Sequence, residues 1–414
     1  MPKQTLWGHP KGLYILFFTE MWERFSYYGM RAILILYLTA KTSEVNAGLG
    51  WDKVSALELY GWYTMMVYVM SVPGGLLADR WLGQKKTVML GGFLLCIGHF
   101  ILAFDALWAF YTGIVFIVFG VGAFAAPLLV GYVGEVINWH YGFGLAGIGM
   151  ALGQIVYIWG QKYLTTVGNF VPVQRESGTN KSIPLTSVEK DRMIVLILSF
   201  IIVIVFWGAY EQAGGLMNLY ARDKINRVMF GFTVPSSFLQ ALPAFYVILF
   251  GMPIAYFWTM WVKKGKESSS LFKMGIGTII TGFGFLLLAG AAIETASSLD
   301  GKAAIYWLFG AYLLHVIGEL SVSPVALSFI TKLAPLKYAS LMMGAYFMVT
   351  GIGNKLAGYI GEAAQNAGEY AIFMGVFIFC VSFGLLLVVF VKKLKKLTHG
   401  ADDIDPKVVI IEAE

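Results

Sequence analysis

The chain has 414 residues, of which 58% are hydrophobic and only 13% charged, against about 25% charge in an ordinary soluble domain. Its net charge of +6 comes from Lys and Arg in short loops between apolar runs, which does not describe a nucleic-acid binder. The two cysteines, Cys96 and Cys380, lie inside apolar runs and supply neither a disulfide framework nor a metal spacing. Runs of about twenty apolar residues recur from end to end, so the chain reads as one all-α polytopic membrane protein.

In chain order, MPKQTLWGHPKG leads straight into a full-length helix, expected to act as its own insertion signal. Apolar runs predict helices near 12–39, 56–80, 86–104, 107–134 and 141–164. A polar stretch follows, then helices near 193–221, 236–262, 270–293, 304–326, 338–360 and 369–391. This gives an N-terminal bundle over 1–164, a cytoplasmic linker over 165–192, a C-terminal bundle over 193–396 and a tail over 397–414. In the second half the basic clusters KSIPLTSVEKDR, KKGKESSSLFK, TKLAPLK and KKLKK alternate with the weakly basic turns SSLDGK and GEAAQNAGE, which predicts six spans with both ends in the cytoplasm.

The first half does not close in the same way. Lys3 and Lys11, the basic loop DRWLGQKK and the linker must all be inside, which requires an even number of crossings where five are predicted. The odd element is 107–134, because two spans need roughly 40 apolar residues and a turn. A hairpin's worth of sequence is therefore expected to be missing near Val121 to Ala125.

The stretch TEMWERFSYYGMR puts Glu20, Glu23, Arg24, Tyr27, Tyr28 and Arg31 at relative positions 0, 3, 4, 7, 8 and 11, one face of a helix. Charge at membrane depth costs on the order of 2.5–3.5 kcal/mol per residue, so it persists where it faces protein or a wet cavity. This face is expected to be a proton and ligand site. Two further acids sit deep in apolar runs: Glu211, with Trp207 one turn before it, and Glu319, with His315 one turn before it and Pro324 five residues on. Burial raises a carboxylate's pKa and a neighbouring cation lowers it, so an Arg–Glu pair that separates during a conformational change binds a proton in one state and releases it in the other. Tyr27, Tyr28, Tyr68, Trp207 and Tyr346 offer apolar walls with polar tips. His315, lacking a second ligand, reads as a helix-packing residue. Lys355, near an outer helix end, reads as a side chain that reaches the interface.

Two six-helix halves around a polar linker are the organisation of the major facilitator transporters, and GGLLADRWLGQKK over 74–86 resembles their loop between the second and third helices. TEMWERFSYYGMRAIL is similar to the E-x-x-E-R-F-x-Y-Y-G signature of the proton-dependent oligopeptide transporter family. The likeness continues through WHYGFGLAGIGM, FWGAYEQAGG, GELSVSPVALSFITKLAP and MMGAYFM, in the family's order. The resemblance implies the major facilitator fold and proton-coupled import of di- and tripeptides by alternating access, with no enzymatic activity and no cofactor besides the coupling proton. By position it implies that Glu20, Glu23, Arg24 and Glu211 couple protons. It also implies that Arg24 reaches the peptide carboxylate, Arg31 pairs with Glu211, Glu319 holds the peptide amino group, and Tyr28, Tyr68 and Trp207 line the pocket. The expected partners are short peptides, protons and the bilayer of a cell's inner or plasma membrane, with the protein a monomer.

Departures accompany the likeness. The fourth-helix lysine and fifth-helix asparagine of the family have no counterpart in 107–134, where the helix count also fails. Gln240 stands in FLQALPAF without the family's asparagine, and Tyr346 replaces a usual tryptophan. The linker has no room for the two extra helices of many bacterial members. If the sequence is the complete polypeptide, the incomplete fourth-to-fifth helix region is expected to damage transport. Carriage of a nitrate-like anion is the alternative within the class; an intramembrane enzyme or a receptor is the alternative outside it, though no H-E-x-x-H motif is present. The C-terminal HGADDIDPKVVIIEAE reads as an acidic tail with no clear role.

Overall fold

The computed structural model describes residues 5–6, 9–77, 81–108, 110, 112, 114, 126–164, 185–335 and 338–403. Its regular structure is almost entirely helical, and seven helical segments among the described residues are long and apolar enough to cross a membrane. The chain forms two compact units: Met1–Thr179 with Val228–Ala241, and Asn180–Arg227 with Leu242–Glu414.

Unit 1 contains α1 (Lys11–Thr39), α2 (Lys53–Val69), α3 (Ser71–Leu77), α4 (Gln84–Leu102), α5 (Ala126–Tyr132) and α6 (Trp139–Gly160). The single helix expected over 56–80 is interrupted at Met70. Pro73 supplies no backbone N–H, so the ladder back to Val69 cannot continue. The expected helix over 107–134 is described only in part: Ala126–Tyr132 is α-helical and Val133–Ile137 widens into a π turn. The missing hairpin expected near Val121 to Ala125 lies outside the described residues.

What holds α1 in place is a glycine stripe on α6. Gly142, Gly149, Gly153 and Gly160 recur on one helix face, and a Cβ at Gly142 or Gly153 would come within 2.9 Å of Ile33 Cδ1 or Trp22 Cβ respectively. Side-chain-free positions let the two backbones approach closely. Asn46 fastens the far end: its amide donates to the Gly134 carbonyl (2.8 Å), its side-chain oxygen accepts from Trp139 N (3.1 Å), and its carbonyl accepts from the Trp139 indole (2.9 Å). Glu135 accepts from Ser236 N, Ser236 Oγ and Ser237 N at 2.8–2.9 Å, capping the 3-10 helix Ser236–Ala241.

Unit 2 contains α7 (Ser187–Tyr210), α8 (Leu216–Lys224), α9 (Leu242–Lys263), α10 (Ser270–Ser297), α11 (Tyr306–Leu333), α12 (Ala339–Ala367) and α13 (Glu369–Lys396). α7 starts at Ser187, six residues ahead of the expected 193, because Thr186 and Glu189 form a reciprocal capping box. The first residues of the C-terminal segment, expected to be an idle tail, are docked. Asp402 is buried, accepts from Ser270 N (2.7 Å) and lies 3.6 Å from Lys332 Nζ, while His399 Nε2 is 2.7 Å from Asp191. Residues 404–414 lie outside the described residues.

α10 and α11 meet at Gly277 and Gly318, where a Cβ on either glycine would lie 2.7 Å from the other's carbonyl oxygen. Gly277→Val is therefore expected to cost about 1–3 kcal/mol through overpacking. Thermal unfolding of the detergent-solubilised protein checks it, and an unchanged midpoint would speak against this packing.

Candidate functional site

On α1 the expected face forms. Arg24 Nε donates to Glu20 Oε1 one turn back, with both side chains about half exposed. Glu23 is within electrostatic reach of both, and Tyr28 and Tyr68 are within reach of Arg24. A cleft of about 530 Å³ runs beside this end of the helix, with Glu20, Glu23, Lys85 and Tyr157 in its wall. Two turns on, Arg31 is buried; its Nε donates to the Tyr60 hydroxyl at 2.6 Å and its guanidinium lies 5.6 Å from the Tyr28 ring. Tyr27 turns inward and stacks on Tyr63 of α2 (6.4 Å between centroids). A guanidinium beside tyrosines keeps its donors directed while the rings exclude water, which is the arrangement that receives a carboxylate.

In unit 2, Glu319 on α11 accepts a hydrogen bond from the Tyr210 hydroxyl on α7. Tyr346 on α12 is hydrogen-bonded to Trp207 and lies within electrostatic reach of Glu319. Trp207 and Tyr210 pack edge to face at 5.4 Å. One cluster therefore gathers Trp207, Tyr210, Glu319 and Tyr346 from three helices. Close packing of α7 on α12 sets it: a Cβ at Gly353 would meet Trp207 Cβ at 2.8 Å, and one at Gly208 would meet Leu356 Cδ2 at 2.9 Å. Glu211 follows at once, 3% exposed, on the 3-10 turn Glu211–Ala213 that ends α7. Its neighbour Gln212 donates to the carbonyls of Gly208 (3.1 Å) and Ala357 (2.9 Å), fixing the turn against α12. His315 is buried against the Phe285 ring (4.7 Å), with both ring nitrogens buried.

A sequence profile of the POT family matches residues 173–374. A di-/tripeptide transporter of Lactococcus lactis subsp. cremoris is 30% identical over 490 residues, covering 95% of this chain and 98% of the relative. The transporter YclF of Bacillus subtilis (strain 168), itself uncharacterized, is 31% identical over 486 residues, with 97% of each chain covered. The chain belongs to the POT family. A crystal structure of a POT peptide transporter in complex with alafosfalin superposes with a TM-score of 0.86 at 28% identity, over 96% of this chain and 97% of that one. Both alignments with the bacterial relatives run longer than this 414-residue chain, so they cross stretches of each relative that have no counterpart here.

In this POT-family chain the site residues divide by unit. Glu20, Glu23, Arg24, Tyr28, Arg31 and Tyr68 belong to unit 1; Trp207, Glu211 and Glu319 belong to unit 2. Three residues that contact the site escaped the sequence reading: Tyr60, Tyr63 and Tyr210. Tyr60 and Tyr63 on α2 stand about one turn apart, as do Trp207 and Tyr210 on α7, so aromatic pairs at helical spacing were the available signal. Lys355 differs from expectation. It is 5% exposed, with Nζ 3.7 Å from Glu362 Oε1 and 4.2 Å from the Tyr359 ring centroid. Partners one and two turns along its own helix spare it from reaching water.

Proposed function

We propose that the chain is a proton-coupled symporter that imports di- and tripeptides by alternating access, embedded in a cell's inner or plasma membrane as a monomer with both termini cytoplasmic. The observation that carries this reading is near-full-length relatedness to di-/tripeptide transporters, in a chain whose own helices present an arginine face in one unit and a tyrosine-held glutamate in the other. A peptide is a zwitterion whose charged ends are separated by a fixed backbone whatever its side chains. Arg24 and Arg31 suit the carboxylate end, Glu319 suits the ammonium end, and Tyr28, Tyr68 and Trp207 suit the variable middle. Within the group Glu20, Glu23, Arg24 and Glu211, the three carboxylates take up the coupling proton and Arg24 serves as their counter-charge; the proton is the only cofactor the reading requires. A carboxylate relieved of its arginine partner in a dry site takes a proton, and the pair re-forms when that proton leaves. The basic loops, notably around Lys85 and Lys86 and at Lys392–Lys396, support the orientation.

The test is reconstitution into liposomes carrying an internal pH dye. Added dialanine is expected to acidify the lumen, with saturation. A lumen that stays at its starting pH while a protonophore control responds would remove the reading.

A further inference from the structure

Lys355 is a buried cation within a helix the site uses, and nothing in the coupling scheme above employs it. α12 is pinned to α7 at two heights, by Gly353 against Trp207 and by the Gln212 amide on the Ala357 carbonyl. Lys355 lies between them, so it shares the depth of Trp207 to Gln212, the stretch that carries Glu211. Glu362 stands seven residues on, about 10.5 Å along the axis, and five residues short of the helix end at Ala367. The two side chains close that separation to 3.7 Å across the Tyr359 ring. The Glu362 side chain keeps 20% of its surface exposed, against 6% for Lys355. One carboxylate near a helix end is thereby joined to a cation at the depth of the coupling acid.

Packing alone gives no reason for this arrangement, since two apolar side chains would fill the same volume without the cost of burying charge. Away from the charged ends of α7 (189–192), α11 (Lys332) and α13 (392–396), the titratable groups on the elements packed against α12 are Tyr210 on α7, Glu211 on the 3-10 turn, Tyr306, Tyr312, His315 and Glu319 on α11, and Glu369, Tyr370 and Cys380 on α13, with Tyr346, Lys355, Tyr359 and Glu362 on α12 itself. Glu211, Glu319 and Glu369 are the carboxylates of the packed elements in this set, and Lys355 is a cation set among them, away from those basic ends.

We propose that Glu362 is a proton-entry carboxylate of unit 2, with Lys355 as the positioning counter-charge that sets when it titrates. A hydronium ion gives up one O–H bond to a Glu362 carboxylate oxygen and leaves as water, so Lys355 loses its counter-charge; the pair re-forms when the carboxyl returns the proton to water. The ammonium then favours an ionised acid at its own depth. The inference rests on proton-driven uptake as proposed above.

The experiment measures dialanine uptake into proteoliposomes under an inward proton gradient, across pH. Glu362→Gln is expected to lower Vmax at least about tenfold while KM stays within about twofold. Lys355→Gln removes the counter-charge, so under the proposal the pH midpoint of uptake is expected to rise by about one unit, and Lys355→Arg to restore it. Wild-type Vmax in Glu362→Gln, or a wild-type midpoint in Lys355→Gln, would overturn the proposal. If Glu362→Gln does not assemble, Lys355→Gln decides, and an unmoved midpoint there overturns the assignment. Failure of the wild-type protein to take up dialanine would instead remove the transport reading itself.

Discussion

Glu319→Gln is expected to lower dialanine uptake about 100-fold, through KM as well as Vmax. The substitution keeps size and the capacity to accept from the Tyr210 hydroxyl, but removes the negative charge proposed to hold a peptide's ammonium group. Losing one partner of a desolvated charge pair costs about 2–5 kcal/mol, and roughly 100-fold lies within that range. Tyr210→Phe supplies the internal comparison. It leaves the charge and removes one neutral donor, so its effect is expected to be several-fold smaller, about 1.5 kcal/mol or roughly tenfold, the low end for a hydrogen bond to a charged group. Initial-rate uptake of labelled dialanine checks both, and Glu319→Gln uptake within about threefold of wild type would contradict an ammonium-binding role. A nitrate-like substrate has no ammonium group, so any uptake of it should not depend on Glu319.

Glu211→Gln carries the second large effect. The carboxylate is buried on a turn fixed by Gln212, so a neutral isostere preserves the fold and removes the titrating group. The ratio of proton-driven accumulation to dialanine counterflow is expected to fall at least about tenfold, since exchange of bound peptide needs no net proton movement. An unchanged ratio would assign the coupling elsewhere. The measurement is made in one vesicle preparation, with the gradient imposed and then collapsed, which removes reconstitution yield from the comparison.

The helical site face was legible in the sequence because charge is rare at membrane depth and helical spacing is strict. Glu20, Glu23, Arg24, Tyr28 and Arg31 fall where a period of 3.6 places them. The family was legible from ordered motifs that run through both halves. Less visible were contacts whose two halves lie far apart in the chain. Glu135 capping Ser236 and Ser237, and Asp402 holding Ser270, each join residues more than a hundred positions apart, and no local pattern announces them. The break at Met70 had a signal in Pro73, outweighed by the length of the apolar run around it. Lys355 was misread for a different reason. A lysine near a helix end usually reaches for water, and only the fold shows that Tyr359 and Glu362 take its charge inside the protein. Tyrosines fill cores and line pockets alike, so Tyr60 and Tyr210 gained meaning only once Arg31 and Glu319 were found at their hydroxyls.

The proposed coupling requires that Arg31 and Glu211 depend on each other in function, as the family resemblance implies. The most direct measurement is a double-mutant cycle on the rate of dialanine-driven lumen acidification, comparing Arg31→Gln, Glu211→Gln and the pair together. If the two groups form a single exchange unit, the double variant loses no more than the worse single one. Losses that simply multiply would show two residues working separately and would contradict the account.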